Sequence, residues 1–220
     1  MAAPRAFIFD MDGTMVDSMP AHAKSWDLFR RRHHLQLSVD EILKRTTGRN
    51  GIECVRLLLG DDLPDDEAKR LIDEKEEDYR RIFAEDFREV AGFSAFARRA
   101  QARGLKLAVA TAGDKNNLHF VLERVHVNPD AEVRGDQGLP GKPQPDIFLK
   151  AAKMLDVEPA DCIVFEDAPF GIDAARRAGM RAVAICSTHK PDELAGPHVV
   201  ASVRDFEELM KNDFLESLHA

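Results

Sequence analysis

FIFDMDGTMVDS, residues Phe7–Ser18, is an apolar run that ends in two carboxylates one residue apart, Asp10 and Asp12, with Asp17 shortly after. A carboxylate in low-dielectric surroundings is costly unless charge or hydrogen bonds compensate it. A buried strand that finishes this way therefore needs partners from elsewhere in the chain. Side chains at i and i+2 of a strand point the same way, which aims both carboxylates at one site as long as the strand persists. Gly13 permits an unusual turn, and Thr14 adds a hydroxyl. Acids also end strands and cap helices with no further role, and these few residues alone do not choose between the two readings.

Working outward, four short runs have the apolar continuity of strands covered on both faces: Arg5–Phe9, Lys106–Thr111, Cys162–Glu166 and Arg181–Ile185. A weaker strand is expected at Ala131–Gly135. Helical periodicity fills the gaps, in FSAFARRAQARG, KNNLHFVLERV, DIFLKAAKML and GIDAARRAG, two of them stopped by Gly104 and Gly179. The tail Val203–Leu218 reads as one closing helix. Alternating strand and helix predict an α/β protein with a doubly wound, Rossmann-like parallel sheet. Residues 17–88 differ, being helix-like throughout with no convincing strand. They are expected to form an α-helical cap inserted after the first strand, with residues 1–16 and 89–220 as the catalytic core. The alternative is one continuous α/β domain with these helices packed on a face.

With 220 residues, the chain is long enough for such a core and insertion. Its formal net charge of −8 argues against a nucleic acid or an anionic membrane as partner, although a small cationic pocket for an anionic substrate stays open. Cys54, Cys162 and Cys186 form no CxxC pair and read as reduced cysteines, neither a disulfide framework nor a zinc site. The N-terminal residues lack the pattern of a signal peptide, and no stretch approaches a membrane span. A cytoplasmic monomer is the expectation.

Three further clusters follow strands or enter helices. In ATAGDKNN, Thr111 ends a strand, and Ala112 and Gly113 open a turn before a helix, where a hydroxyl and free N–H groups can hold a phosphate-like anion. In GKPQPD, Lys142 is placed between a glycine and a proline. In VFEDAPFG, Glu166 and Asp167 end another strand, and adjacent acids there suit a hard divalent cation. In a parallel sheet the carboxyl ends of the strands share one face. The four clusters therefore converge on one site: acids for a cation, with a hydroxyl and a lysine for phosphoryl oxygens.

In the order and spacing of these clusters, the sequence resembles the haloacid dehalogenase-like superfamily, in its β-phosphoglucomutase and sugar-phosphatase-like branch with a helical cap. DMDGT is similar to the first motif of that family, Thr111 to the second, Lys142 in GKPQPD to the third and EDAPFGIDAARRAG to the fourth. The resemblance implies that Asp10 is a nucleophile forming an aspartyl-phosphate and that Asp12 is the acid/base. It implies that Mg2+ is held by the Asp10 carboxylate, the Asp12 main-chain carbonyl, Asp167 and, directly or through water, Glu166. Thr111, Ala112 and Lys142 would bind phosphate. His22, Arg49 and Lys75 match cap positions that contact substrate in mutase-like members, although Lys75, between Glu74 and Glu76 with Asp78 at i+3, also reads as part of a solvated helix face. Trp26 lies on the apolar stripe of its helix and reads as core. Thr14, and the likeness of FEDAPFGIDAARRAGMRAV to phosphatases acting on sugar phosphates, favour a phosphatase of a small phosphorylated metabolite. A β-phosphoglucomutase-type mutase is the alternative, and a non-catalytic binding protein on the same fold is a weaker one.

Overall fold

The computed structural model describes residues 3–218. Among these, six parallel strands form one sheet: β1 Ala6–Phe9, β2 Lys106–Thr111, β3 Ala131–Arg134, β4 Cys162–Glu166, β5 Arg181–Ile185 and β6 Val199–Val203, in the order β3-β2-β1-β4-β5-β6. The chain leaves β1 toward one edge and returns beyond it to start β4. The strand order therefore reverses at β1, which pairs with both β2 and β4. Such a switch point opens a crevice at the carboxyl ends of the strands. Register sets what faces it. Phe9 lies opposite Val109 and Phe165, so Asp10 emerges level with Glu166, and its N–H donates to the Phe165 carbonyl at 3.0 Å.

The two faces of the sheet are packed differently. Phe7, Phe9 and Phe165 meet Phe93 and Phe96 of α5 (Phe93–Ala102) and Phe206 of α9 (Phe206–Lys211), with the Phe9 and Phe165 ring centroids 4.7 Å apart. The opposite face carries Ala6, Ala108, Ala110, Ala182 and Ala184, small enough for α7 (Asp146–Leu155) and α8 (Pro169–Arg177) to pack on it through Phe148, Ala151, Ala174 and Ala175. Aromatic rings on one face and mostly alanines, with Ile8, Val133 and Val164, on the other fix which helices each can accept.

The tail departs from the expected single helix. Val203 ends β6, and the helix after it divides into α9 and α10 (Phe214–Ser217), with Asp213 between them in the left-handed region at φ 51°. β6, which was not anticipated, lies at the sheet edge, half-covered, with Val200 exposed.

Four helices stand between β1 and α5: α1 Met19–Arg32, α2 Val39–Thr46, α3 Gly51–Leu59 and α4 Asp65–Glu85. Capping boxes at Ser38/Glu41 and Asn50/Glu53 start α2 and α3 by satisfying otherwise orphaned N–H groups. This cap has its own core, including Trp26, Phe29, Ile42, Val55 and Leu71. The helix α4 is long enough to serve both bodies: Leu71 and Ile72 lie in the cap core, while Tyr79 and Phe83 join the core under the sheet. The two crossings between the bodies run side by side, Asp17 N–H donating to Arg88 O at 3.1 Å and Val90 N–H to Met15 O at 3.0 Å. Among the described residues no helix is long and apolar enough to cross a membrane.

Phe165 is fully buried at the centre of the aromatic layer. Phe165→Ala is expected to cost about 3–5 kcal/mol of unfolding free energy, measured by urea denaturation. A cost under about 1 kcal/mol would mean that the layer does not act as a packed unit.

Candidate active site

Beyond Phe9 the strand ends, and a tight turn from Met11 to Val16 takes over, with Met15 N–H donating to Met11 O at 2.8 Å. The i,i+2 spacing was expected to aim both acids at one site as long as the strand persisted; the strand stops, yet both reach one cavity, through the turn and with different partners. Asp10 points into the core, where its Oδ1 accepts from Lys142 Nζ at 2.5 Å. Asp12 turns toward the cap, where Oδ1 meets Ser18 Oγ at 2.6 Å, Tyr79 OH at 3.0 Å and His22 Nε2 at 3.0 Å. Both acids line one cavity of about 120 Å3 under the cap, but with different partners.

The acids of the fourth cluster complete the core side. Lys142 Nζ also donates to Glu166 Oε1 at 2.6 Å, and Glu166 Oε2 accepts from the Asp167 and Ala168 N–H groups at 2.9 and 3.0 Å. Gly171 makes this possible, since a Cβ there would lie 1.8 Å from Glu166 Oε1. Gly13, at φ 77°, similarly leaves room for Asp167, whose Oδ2 would be 2.2 Å from a Cβ on residue 13. Thr111 is buried at the end of β2, its Oγ1 accepting from Gly113 N–H at 2.9 Å, and with Ala112 it lines the same cavity.

The cap residues fall as follows. His22 stacks on Tyr79 with ring centroids 3.9 Å apart, and its Nδ1 lies 2.8 Å from Lys75 Nζ. An ammonium only donates, so Nδ1 accepts and Nε2–H is left to donate to Asp12. Lys75 does not belong to a solvated face: it is 1% exposed, paired with Glu76 at 2.9 Å, its Nζ 4.8 Å from the Trp26 ring. Its expected surface partner, Asp78, instead pairs with Arg32 and Arg81. Glu76 continues the chain of contacts to Asn117 Nδ2 at 2.7 Å, at the start of α6 (Lys115–Val125). Trp26 is buried as its stripe suggested and also lines the cavity. Arg49 is exposed at the cavity wall, its Nε donating to Arg45 O at 3.0 Å.

Residues 4–179 match the model of the haloacid dehalogenase-like hydrolases. The chain belongs to that family. It is 32% identical over 178 residues to the fructose-1-phosphate phosphatase YqaB of Escherichia coli K12, covering 80% of this chain and 93% of the relative. It is 31% identical over 191 residues to the β-phosphoglucomutase of Bacillus subtilis 168, covering 82% and 83%. Among solved structures, an Entamoeba histolytica protein described as a HAD hydrolase of family IA, variant 3, superposes with a TM-score of 0.83 at 29% identity, covering 98% of this chain and all of that one. With the acid set of this haloacid dehalogenase-like hydrolase intact, the chain is an enzyme of phosphatase type.

The electrostatics of its site call for a cation. The carboxylates of Asp10, Glu166 and Asp167 are buried, with one oxygen from each within 4.8 Å of the others. Burial, then the neighbouring Glu166, pushes the Asp167 carboxyl up to about 8. Burial also raises Asp10 well above the carboxylate range, against the pull of Lys142. A set of hard oxygen donors whose anions are unfavourable without added positive charge fits a divalent metal ion. Asp12 is the opposite case. Burial works against its anion, but His22, with hydrogen bonds from His22, Ser18 and Tyr79, holds the carboxyl at about 2. Burial and the charge of Asp12 keep the Tyr79 phenol protonated, hence a donor.

Sequence reasoning missed Ser18, Tyr79, Glu76 and Asn117. Tyr79 carried a signal, standing four residues after Lys75 and so on the same helix face. Ser18 closes the stretch that opened the sequence reading, and Asn117 closes ATAGDKNN.

The raised Asp167 carboxyl sets a pH dependence. The folded state keeps a proton that the unfolded chain releases near pH 4, so in metal-free protein this group costs stability as pH rises from about 4 toward 8. A divalent cation displaces that proton, and its binding should tighten from pH 6 to pH 8. Thermal shift on adding Mg2+ to chelator-treated protein is expected to grow over this interval; a shift independent of pH would contradict the assignment.

Proposed function

We propose that this enzyme is a magnesium-dependent phosphatase that hydrolyses a small phosphorylated metabolite, a sugar phosphate, through an aspartyl-phosphate on Asp10. The observation that carries this reading is the partition of the two acids, Asp10 among buried core acids with Lys142, and Asp12 held by cap donors across the same cavity. The oxygen donors suited to Mg2+ are the Asp10 and Asp167 carboxylates and the Asp12 carbonyl, with Glu166 direct or through water. When bound, the ion would offset the repulsion between these anions and a phosphate.

This chain's own residues account for the rest. Lys142 and the Thr111 hydroxyl, with the N–H groups around Ala112, meet the non-bridging oxygens. Asp10 attacks phosphorus, and the bond to the leaving oxygen breaks. A proton from Asp12 goes to that oxygen. Asp12 then takes a proton from the water that cleaves the aspartyl-phosphate. All three protein donors on Asp12 converge on Oδ1, leaving Oδ2 for this traffic. A carboxyl held near 2 is ready as a base; an incoming phosphate dianion raises it toward the acid form. The cavity of about 120 Å3 adjoins a larger one of about 990 Å3 between cap and core, the two sharing Gly51, Ile72, Glu76, Ala112 and Gly113.

The relatives support both a sugar phosphatase and a mutase, and the contact from His22 to Asp12, with Lys75 behind His22, suits either. A panel of phosphorylated metabolites scored for phosphate release and for isomer formation decides between them, with release expected. Asp10→Asn should abolish turnover, and retention of about a tenth of wild-type activity would rule out the covalent role. Asp12→Asn should lose about 100- to 10,000-fold, and less on esters with good leaving groups. Arg49→Ala should reduce efficiency on the preferred sugar phosphate more than on p-nitrophenyl phosphate, whereas Lys142→Ala should reduce both alike.

A further inference from the structure

The loop after β5 carries residues that neither the sequence motifs nor the mechanism uses. Ser187, Thr188 and His189 follow the strand on the exposed side of the fourth cluster. Ser187 Oγ donates to the carbonyl of Gly13. Thr188 Oγ1 lies 2.5 Å from Asp167 Oδ2 and 3.1 Å from the Asp167 carbonyl oxygen. His189 Nδ1 lies 3.0 Å from that carbonyl and 2.9 Å from Thr188 Oγ1.

Donor accounting orders these contacts. A threonine hydroxyl has one hydrogen, and when Asp167 is ionised, as a cation ligand must be, its carboxylate takes that hydrogen. His189 Nδ1 must then be the protonated ring nitrogen, donating to the Asp167 carbonyl and to the Thr188 oxygen. A hydroxyl that receives a hydrogen bond donates a stronger one, so His189 reinforces the grip of Thr188 on Asp167.

The other side of the same carboxylate is served by Thr14 Oγ1, 3.4 Å from Oδ1, and its rear is closed by Gly13. Lys142 bonds Asp10 and Glu166. Asp167 is thus the member of the acid set whose side-chain donors, among the described residues, are hydroxyls. A hydroxyl orients a carboxylate without neutralising it. An ammonium in that place would fix the rotamer equally well and weaken the attraction for a cation.

We infer that Thr188, reinforced by His189, is a positioning residue that holds Asp167 in the orientation required to ligate a divalent cation. The inference rests on the magnesium reading of the acid set. It assigns to an exposed loop far along the chain a share of the metal affinity, as outer partners of ligating carboxylates have in metal sites generally.

The test measures Mg2+ binding by isothermal titration calorimetry on chelator-treated protein, with no substrate. Thr188→Val keeps the shape and removes the donor; affinity should fall about 10- to 100-fold. Thr188→Ser restores a donor and should stay within about three-fold of wild type. His189→Ala should fall between them. Circular dichroism and metal-free melting curves matching wild type place any loss at the metal site, and Thr188→Ser tests the same donor if the valine variant is poorly folded. Affinity of Thr188→Val within about two-fold of wild type, or Thr188→Ser falling as far as Thr188→Val, overturns the positioning role alone. Wild-type protein that binds no Mg2+ overturns it together with the magnesium reading.

Discussion

The ammonium of Lys142, between Asp10 and Glu166, is the interaction on which the site depends. Buried charges survive when they are paired and hydrogen-bonded, and the Lys142 Nζ binds two carboxylates and lies 5.0 Å from the Phe148 ring. Its own N–H donates at 3.1 Å to Gly48 O of the cap. One residue thereby joins the ends of β1 and β4, the loop before α7 and the cap. Three buried carboxylates share one lysine, and burial raises Asp10 and Asp167 for want of further positive charge, which suits the site to a divalent cation.

Most of this was legible because buried parallel strands advertise themselves. Runs such as CIVFE and KLAVAT are covered on both faces, and a polar residue at the end of each marks the crevice. β6, VVASV, was missed although its residues favour a strand: its last residue, Val203, was read as the start of the closing helix, and only Val203 is buried. Lys75 shows the limit of local pattern. Its neighbours are acids, as on a solvated helix face, and only the docking of α4 beside α1 and over the core, 53 residues from His22 along the chain, buries it.

Asp10 and Asp12 share a cavity, as their spacing suggested, but not by the strand geometry behind that expectation. The i,i+2 rule holds within a strand, and β1 ends at Phe9. Met11 is buried in the turn, where its carbonyl accepts from Met15 and Val16, so the direction of Asp12 is set by the turn. Gly13 and Gly171 were visible as glycines, yet their purpose was not. Each makes room for an acid: Asp167, far along the chain, for the first, and Glu166, five residues back across the start of α8, for the second.

The different partners of Asp12 are what give the cap a part in the chemistry. Every group holding Asp10 belongs to the core, whereas Ser18, His22 and Tyr79 precede or belong to α1 and α4. The paired crossings at Asp17/Arg88 lie next to Ser18, so rotation of the cap about them moves the donors of Asp12 by a short lever. On the proposed mechanism, the core holds Asp10 through Lys142 while residues of α1 and α4 hold Asp12, so proton transfer to and from the leaving group depends on the same helices that meet that group. Specificity in this arrangement comes from the cap, because the core reads only the phosphoryl oxygens that every substrate shares.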